Sequence, residues 1–236
     1  WSGANINTVL FEQLGRSIDV PVSTHNHHLS HAAAGFQTSP FERATVVVVD
    51  AIGELDCITI WGAEYKNGRA VYKKLWTRRY PHSIGLLYSA ATAHVGLRPM
   101  DEEYILMGMA AYAKHHDVIK NHNHLLQELV ADGKNIKLKH NLHTGFDSVL
   151  SEPLSNISNE DMAGSIQALT ETLLSSVLWN AANKRWSNNL VFMGGVALNC
   201  LANRLLGGYF DDFWIMPNPG DAGSSLGAAA LVHGGR

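Results

Sequence analysis

Three apolar runs in the first third of the chain predict strands. Residues 44–50 form a continuous run of β-branched side chains, which is typical of a strand buried on both faces. Residues 57–65 and 70–78 flank the dipeptide Asn67-Gly68. Because Asn-Gly between two strand-like runs favours a tight hairpin, these runs predict an antiparallel pair inserted after the first strand.

Shorter apolar runs predict further strands at 20–24, 190–193 and 212–216. Apolar residues at helical spacing predict helices at 28–37, 83–95, 101–113, 117–131, 158–186, 196–206 and 224–232. Strands that alternate with helices, together with an inserted hairpin, predict an α/β fold with a mixed sheet. In such sheets ligands bind beyond the carboxyl ends of the strands.

The composition excludes several classes of protein. Of the 236 residues, 46% are hydrophobic and 17% are charged, so the chain can form a core and is not disordered. The net charge of −3 and the lack of a basic stripe argue against a nucleic-acid partner, and no apolar run is long enough to span a membrane. Two distant cysteines, Cys57 and Cys200, fit a reducing cytoplasm and cannot form a cysteine-based zinc site.

The 13 histidines are most concentrated just before the first predicted helix. On a helix, His27 and His31 share one face at the spacing i,i+4, but His28 and His31 at i,i+3 do so as well. Spacing alone does not choose between these pairs. Imidazole and carboxylate ligands suit Fe, Mn, Co or Zn. The alternative is a group of hydrogen-bonded histidines at the start of a helix.

Three predicted strands end in residues that a ligand site would use. Asp50 ends the first buried strand, Gly194-Gly195 follows the strand at 190–193, and Asp221 precedes the last helix. A buried carboxylate needs a partner, and glycines allow backbone to approach a ligand closely. The alternatives are a turn-forming Asp50, a tight connection without a ligand, and Asp221 as a helix N-cap. The dinucleotide fingerprint GxGxxG and the phosphate loop GxxxxGK[ST] are both missing from the sequence.

Six segments, taken in order, resemble the NodU/CmcH type of O-carbamoyltransferase. The segments are His-His-Leu-Ser-His-Ala-Ala (27–33), Val-Asp-Ala-Ile-Gly-Glu (49–54), Pro-His-Ser-Ile-Gly-Leu-Leu-Tyr-Ser-Ala (81–90), Glu-Tyr-Ile-Leu-Met-Gly-Met-Ala-Ala-Tyr (103–112), Gly-Gly-Val-Ala-Leu-Asn-Cys (194–200) and Gly-Asp-Ala-Gly-Ser-Ser-Leu-Gly-Ala-Ala (220–229). The resemblance implies an actin-like/Hsp70-like ATPase (ribonuclease H-like) fold. It also implies a relationship to the proteins that transfer threonylcarbamoyl groups to tRNA.

The resemblance also implies a reaction and its site. Such enzymes use ATP and carbamoyl phosphate to form carbamoyl-adenylate in a YrdC-like domain, and pass the carbamoyl group to an acceptor hydroxyl of a small molecule in a metal-bearing domain. By resemblance the metal, usually iron, has the ligands His27, His31, Asp50 and Asp221. The implied nucleotide-binding residues are Gly53, Glu54, Gly194, Gly195, Asn199 and Gly220. No general base for the acceptor is identified.

The resemblance suggests three segments: the remainder of a first lobe (1–113), a variable histidine-rich insert (114–158) and a second, nucleotide-binding lobe (159–236). We expect the six histidines of the insert to be solvated and not to form a second metal site. We expect a fragment of a longer enzyme, with the first lobe incomplete and the YrdC-like domain supplied in cis or in trans. Two departures from the family pattern are Ala51, where glycine is usual, and Ile105, where lysine is usual.

Two other functions compete with the small-molecule carbamoyltransferase. One is a tRNA-modifying protein of the threonylcarbamoyl-adenosine type, which the lack of a basic surface disfavours. The other is a nucleotide-binding module without catalytic activity, which the missing segments favour. A sugar kinase is disfavoured because it would need phosphate loops that the sequence lacks.

Overall fold

The computed structural model describes residues 11–15, 23–146 and 149–235. The strands are β1 (Arg43–Gly53), β2 (Asp56–Lys66), β3 (Arg69–Arg79), β4 (Val130–Asp132), β5 (Lys137–Leu138), β6 (Asn189–Met193) and β7 (Asp212–Trp214). The α-helices from residue 23 onward are α1 (His27–Thr38), α2 (Ile84–His94), α3 (Glu103–Met109), α4 (His115–Leu129), α5 (Glu152–Ser155), α6 (Asn159–Asn183), α7 (Cys200–Asn203) and α8 (Asp221–His233). Short 3₁₀ turns occupy Ala110–Tyr112, Gly195–Leu198 and Leu206–Gly208.

Five strands form one mixed sheet in the order β3-β2-β1-β6-β7. β2 is antiparallel to β1 and β3, whereas β6 is parallel to β1 and β7. The predicted α/β fold with a mixed sheet is confirmed. Because β1 pairs directly with β6, segments that the sequence assigned to two lobes contribute strands to the same sheet. The division of the chain into these segments stays a prediction.

The sheet is covered on both faces, as the continuous apolar run of β1 predicted. Val47 and Val49 face a large core shared with α2, α4 and α6, and Val46 and Val48 face a smaller core shared with α1. All four valines are fully buried. The side chains of β1 alternate between the two cores, so the strand lies between the helices on the two faces of the sheet. Asp50 follows these valines near the carboxyl end of the strand.

The predicted hairpin is confirmed. Asn67 and Gly68 have φ angles of 53° and 74°, which a tight turn between twisted strands requires. The helix predicted at 196–206 is interrupted instead, because the side chain of Asn199 accepts a hydrogen bond from the backbone of Ala202 and starts α7 afresh. The strand predicted at 20–24 lies mostly outside the described residues, and Ser23 and Thr24 have no regular structure.

The insert 114–158 contains α4, the small β4–β5 hairpin and α5. The insert contains six histidines: His115, His116, His122, His124, His140 and His143. Among the residues that the structure describes, the only group of three or more side chains that could hold a metal lies outside the insert, so these six histidines form no such group. Within the same described ranges, every helix is too short or too polar to cross a membrane.

Helices α1 and α8 cross in close contact on one face of the sheet, at Gly227. A side chain at this position would overlap the carbonyl oxygen of Ser30 and lie 2.7 Å from the backbone nitrogen of Ala34. The glycine therefore sets the distance between the two helices. It also sets the position of Asp221, which begins α8.

Replacing this glycine tests the constraint. We expect Gly227→Ala to lower the free energy of unfolding by about 1–3 kcal/mol, because the added methyl group must push the helices apart. Gly108→Ala is the matched control, since nothing lies within 4 Å of a side chain there. Urea denaturation measures both, and equal stabilities for the two variants would contradict the constraint.

Candidate metal centre and adjoining cavity

Four side chains from three elements converge beside the end of β1. His27 and His31 extend from α1, Asp50 from β1 and Asp221 from α8, and their candidate ligand atoms all lie within 4.8 Å of one another. These are the four residues that the resemblance implied. The structure therefore brings together side chains that are up to 194 positions apart in the chain.

The spacing of the four atoms suits a single shared ion. His27 Nε2 lies 3.0 Å from Asp50 Oδ2 and 3.1 Å from His31 Nε2, and His31 Nε2 lies 3.2 Å from Asp221 Oδ1. Two ligands that are each about 2.1 Å from one ion are separated by about 3.0–3.4 Å at octahedral or tetrahedral angles. The donor set of two imidazoles and two carboxylates therefore fits a borderline divalent ion.

The structure decides between the two histidine pairs that spacing left open. His28 is fully buried and faces the sheet, where its Nδ1 lies 2.8 Å from the hydroxyl of Thr59. The same hydroxyl accepts a hydrogen bond from Trp61 Nε1 at 2.8 Å. His28 thus belongs to a buried polar contact, and the pair at i,i+4 is the one that faces the carboxylates.

Asp50 is oriented before any ligand binds. Its Oδ1 accepts hydrogen bonds from the backbone nitrogens of Ala51 at 2.9 Å and Gly195 at 3.2 Å, which leaves Oδ2 for the histidines. Ala51 continues β1 without a positive φ angle, so the replacement of the usual glycine requires no unusual backbone conformation. The carboxylate of Asp50 therefore links the last part of β1 to the turn after β6.

The charges of the site stabilise one another. Burial alone would raise the pKa of Asp50, but hydrogen bonds from His27 and His31 and from the Ala51 amide hold it well below its usual range. The hydrogen bond to Asp50 raises the pKa of His27 above its ordinary value of 6.5, against the opposing effect of burial. The pairing of His27 with Asp50 therefore favours the protonated imidazole of His27 and the ionised carboxylate of Asp50.

Asp221 is not an N-cap, which was the alternative that the sequence left open. It is the first residue of α8, the cap position is Gly220, and that cap makes no side-chain hydrogen bond. The Asp221 side chain is 70% exposed, whereas that of His31 is fully buried. One side of the cluster is thus open to solvent.

A cavity of about 330 Å³ adjoins the cluster. It is enclosed by the end of β1, by α2, by residues 100–107, by α6 and by the turns at 195–199 and 220–221. Asp50 and Asp221 lie in its wall, together with three of the residues that the resemblance implied for nucleotide binding: Gly195, Asn199 and Gly220. The open side of the group of His27, His31, Asp50 and Asp221 therefore faces a space of ligand size.

The other three residues of that set lie outside the wall of the cavity. A side chain at Gly53 would overlap the imidazole of His27, and Glu54 accepts a hydrogen bond from Asn26 at the start of α1. Gly194 has a φ angle of 93°, and a side chain there would overlap the backbone of Val49. The structure assigns these residues to packing around the cluster, and their nucleotide-binding role stays a prediction.

Several polar residues of the cavity were not anticipated. Gln167 and Asn199 exchange two amide hydrogen bonds of 2.9 and 3.1 Å, and Tyr88 donates to Gln167 at 3.0 Å. Tyr88, Asn199, Glu103 and Thr170 lie in the wall, and Gln167 lies behind it. Gln167 and Thr170 are polar residues on the buried face of α6. A polar residue at a position that the helical periodicity places in the core is the sequence signal that could have identified them.

A family model described as carbamoyltransferase N-terminus matches residues 5–230. The chain belongs to this carbamoyltransferase family. A protein of Synechocystis sp. that is described as uncharacterised is 37% identical over 231 residues, which is 90% of this chain and 36% of that protein. Nodulation protein NolNO of Sinorhizobium fredii is 30% identical over 234 residues, which is 95% of this chain and 33% of that protein.

Among solved structures, HypF of T. kodakarensis has a similar fold. The TM-score is 0.51 at 16% sequence identity, over 95% of this chain and 38% of that one. The chain spans about a third of the length of the curated relatives it matches. The family match therefore covers the region that contains the four His and Asp side chains and the cavity.

Removing the two facing histidines tests the centre. We expect the wild-type chain to bind one divalent ion and the double variant His27→Ala/His31→Ala to bind none, because two of the four donors are lost. Elemental analysis after loading and gel filtration measures the ratio. The variant His115→Ala/His116→Ala removes two exposed histidines and should keep the ion, and so should His28→Ala despite a lower unfolding temperature. A metal-free wild type would contradict the assignment.

The raised pKa of His27 predicts a pH dependence. A proton on His27 contributes stability to the ion-free chain below pH 6.5, and this contribution is lost as the pH rises through the raised pKa. An ion must displace that proton, so its affinity should increase by up to about tenfold per pH unit until His27 is neutral. Competition with a chelating dye between about pH 6 and pH 8 measures the slope. An affinity that does not change with pH would show that no proton is displaced.

Proposed function

We propose that the chain is the carbamoyl-transfer domain of an ATP-dependent O-carbamoyltransferase. It would move the carbamoyl group of carbamoyl-adenylate to a hydroxyl group of a small acceptor. The observation that carries the proposal is the convergence of His27, His31, Asp50 and Asp221 at the mouth of a cavity of ligand size. Membership of the carbamoyltransferase family supports the same reaction.

In the proposed reaction the acceptor oxygen forms a bond to the carbamoyl carbon. The bond between that carbon and the phosphate oxygen breaks, AMP leaves, and the hydroxyl proton is released. The negative charge that develops on the carbamoyl oxygen and on the leaving phosphate needs nearby positive charge or N–H donors. The site must also hold the two reactants in contact and limit their motion.

Residues of this chain supply the positioning. The backbone nitrogens of Ala51 and Gly195 hold Asp50 in place, and the start of α8 presents its free N–H groups beside Asp221. Gln167 fixes the amide of Asn199 in the wall of the cavity. These groups are ordered by the fold, so little ordering is required when a substrate binds.

His27, His31, Asp50 and Asp221 would hold the metal, for which we propose iron. When bound, a divalent ion supplies a Lewis acid that can polarise a carbonyl group or neutralise a phosphate. The two imidazoles and two carboxylates are compatible with iron and equally with Mn, Co or Zn. The proposal of iron follows from the resemblance to the NodU/CmcH type.

We further propose that the mixed sheet is a ribonuclease H-like unit of an actin-like fold. The antiparallel hairpin at one edge and the parallel strands β1, β6 and β7 support this proposal. Since the chain spans about a third of its curated relatives, we propose that a YrdC-like domain supplies carbamoyl-adenylate in cis or in trans. Both thiols are free in the described part of the chain, which supports a cytoplasmic location.

Supplying the activated intermediate directly tests the function. We expect the metal-loaded chain, given preformed carbamoyl-adenylate and a panel of sugars and nucleosides, to add one carbamoyl group to an acceptor. Asp221→Asn should slow this transfer by about 100-fold or more, because it removes a charged metal ligand. Mass spectrometry measures the added carbamoyl group, with His115→Ala/His116→Ala as the control. Nucleotide binding without any transfer would favour the non-catalytic module instead.

A further inference from the structure

The turn between β1 and β2 contains a residue that is unusual in its conformation. β1 ends at residue 53 and β2 begins at residue 56, so two residues, Glu54 and Leu55, connect the strands. Glu54 has a φ angle of 59°, which lies in the left-handed region. Glycine, asparagine and aspartate are the usual residues there, because longer side chains are strained in this conformation. The presence of a glutamate is therefore to be explained by what its side chain contacts.

The next turn of the same sheet follows the ordinary rule. Asn67 and Gly68 connect β2 to β3, and their φ angles are 53° and 74°. Both residue types adopt the left-handed conformation at little cost. Since the two turns have the same length and lie in one sheet, the length of the connection does not explain the glutamate.

The carboxylate of Glu54 contacts the start of α1. Its Oε2 accepts a hydrogen bond from Asn26 Nδ2, and its Oε1 accepts one of 3.4 Å from the backbone nitrogen of His27. Asn26 is also the N-cap of α1, because its Oδ1 accepts a hydrogen bond of 3.2 Å from the backbone nitrogen of Leu29. The amide of Asn26 therefore joins the turn after β1 to the first turn of the helix.

The residue before Glu54 packs against the same helix. A Cβ atom added to Gly53 would lie 2.3 Å from the Cδ2 atom of His27 and 2.6 Å from that of His28. The His27 Nε2 atom lies 3.0 Å from Asp50 Oδ2. His27 therefore contacts the turn through its ring and its backbone nitrogen, and it contacts the end of β1 through Nε2.

These contacts connect two elements that supply candidate metal ligands. α1 carries two of the four ligands, and β1 carries Asp50, four residues before Glu54. The register of β1 against β2 shifts between Val49 and Gly53. Such an irregularity bends a strand and changes the direction of its side chains. The contact between Glu54 and α1 joins the helix to the strand just beyond this irregularity.

We propose that Glu54 is a positioning residue of the metal centre. By accepting a hydrogen bond from Asn26, it holds the start of α1, so that the histidines of the helix reach Asp50 at the spacing that one ion requires. The inference rests on the metal centre of the proposed function and not on the transfer reaction. It gives Glu54 a role different from the nucleotide contact that the resemblance implied.

Two variants separate positioning from the capping of α1. Asn26→Ser keeps an oxygen that can cap the helix but removes the amide that donates to Glu54. Glu54→Gly removes the carboxylate and suits the left-handed backbone. We expect each variant to bind zinc about tenfold more weakly than the wild type, which is typical for the loss of a group that orients a ligand. Competition with a chelating dye measures the affinities, at a temperature where thermal unfolding shows all chains to be folded.

The double variant tests whether both residues act through one contact. Asn26→Ser/Glu54→Gly should bind zinc no more weakly than either single variant, because each single change already removes the hydrogen bond between the two side chains. Losses that add in the double variant would overturn the inference. Zinc affinities equal to that of the wild type in both single variants would overturn it as well.

Two further variants identify the cause of the loss. Glu54→Gln keeps an oxygen that can accept from Asn26 and should bind zinc within about threefold of the wild type. An affinity as low as that of Glu54→Gly would assign the effect to charge and overturn the positioning role. Ser158→Ala removes the N-cap of α6, outside the cluster and the cavity wall, and should leave zinc affinity unchanged.

Other outcomes distinguish this inference from the proposed function. Weaker binding of AMP by Glu54→Gly at unchanged zinc affinity would favour the nucleotide contact and overturn the positioning role. A wild-type chain that binds no zinc would overturn the metal centre and this inference together. The expected zinc affinities without carbamoyl transfer would support this inference and count against the proposed function alone.

Discussion

A carboxylate at the buried end of a strand is the constraint on which the site depends. Asp50 follows four fully buried valines, and its side chain is only 9% exposed. An ionised carboxylate in such a place costs several kcal/mol unless it is paired and hydrogen-bonded. The fold meets this requirement with two backbone amides on one oxygen and two imidazoles near the other.

The partners of Asp50 reach it only because helices and turns approach one another closely. The glycine at 227 lets α8 cross α1, and this crossing places Asp221 above the imidazole of His31. The φ angle of 93° at Gly194 lets the turn after β6 lie against β1, and this turn delivers the amide of Gly195. Small residues in these segments therefore serve the geometry of the cluster as well as the packing of the fold.

Much of this architecture could be predicted from the sequence, because it depends on local patterns. The strand at 44–50, the hairpin with Asn67-Gly68 and the long helix after Ser158 follow from periodicity and capping, and all are present. Spacing alone could not choose between His27 and His28, since both share a helix face with His31. The resemblance to a family made that choice, and the contact between His28 and Thr59 across the sheet supplies its physical reason.

The polar wall of the cavity could not be predicted, because its members are assembled by tertiary contacts. Glu103 lies in a segment for which the sequence predicts only a helix, and Leu106 is the only buried residue of α3. Its carboxylate is fixed by Ser89 from a different helix, just as Asp50 is fixed by Gly195 from a different strand. In both acids one oxygen accepts two hydrogen bonds from the fold, and the other is not held in this way. The two differ in what they face, since Asp50 has two imidazoles beside it and Glu103 has no cation among the described residues. Contacts between elements that are distant in the chain therefore fix the orientation of both acids, and no local pattern in the sequence could have shown it.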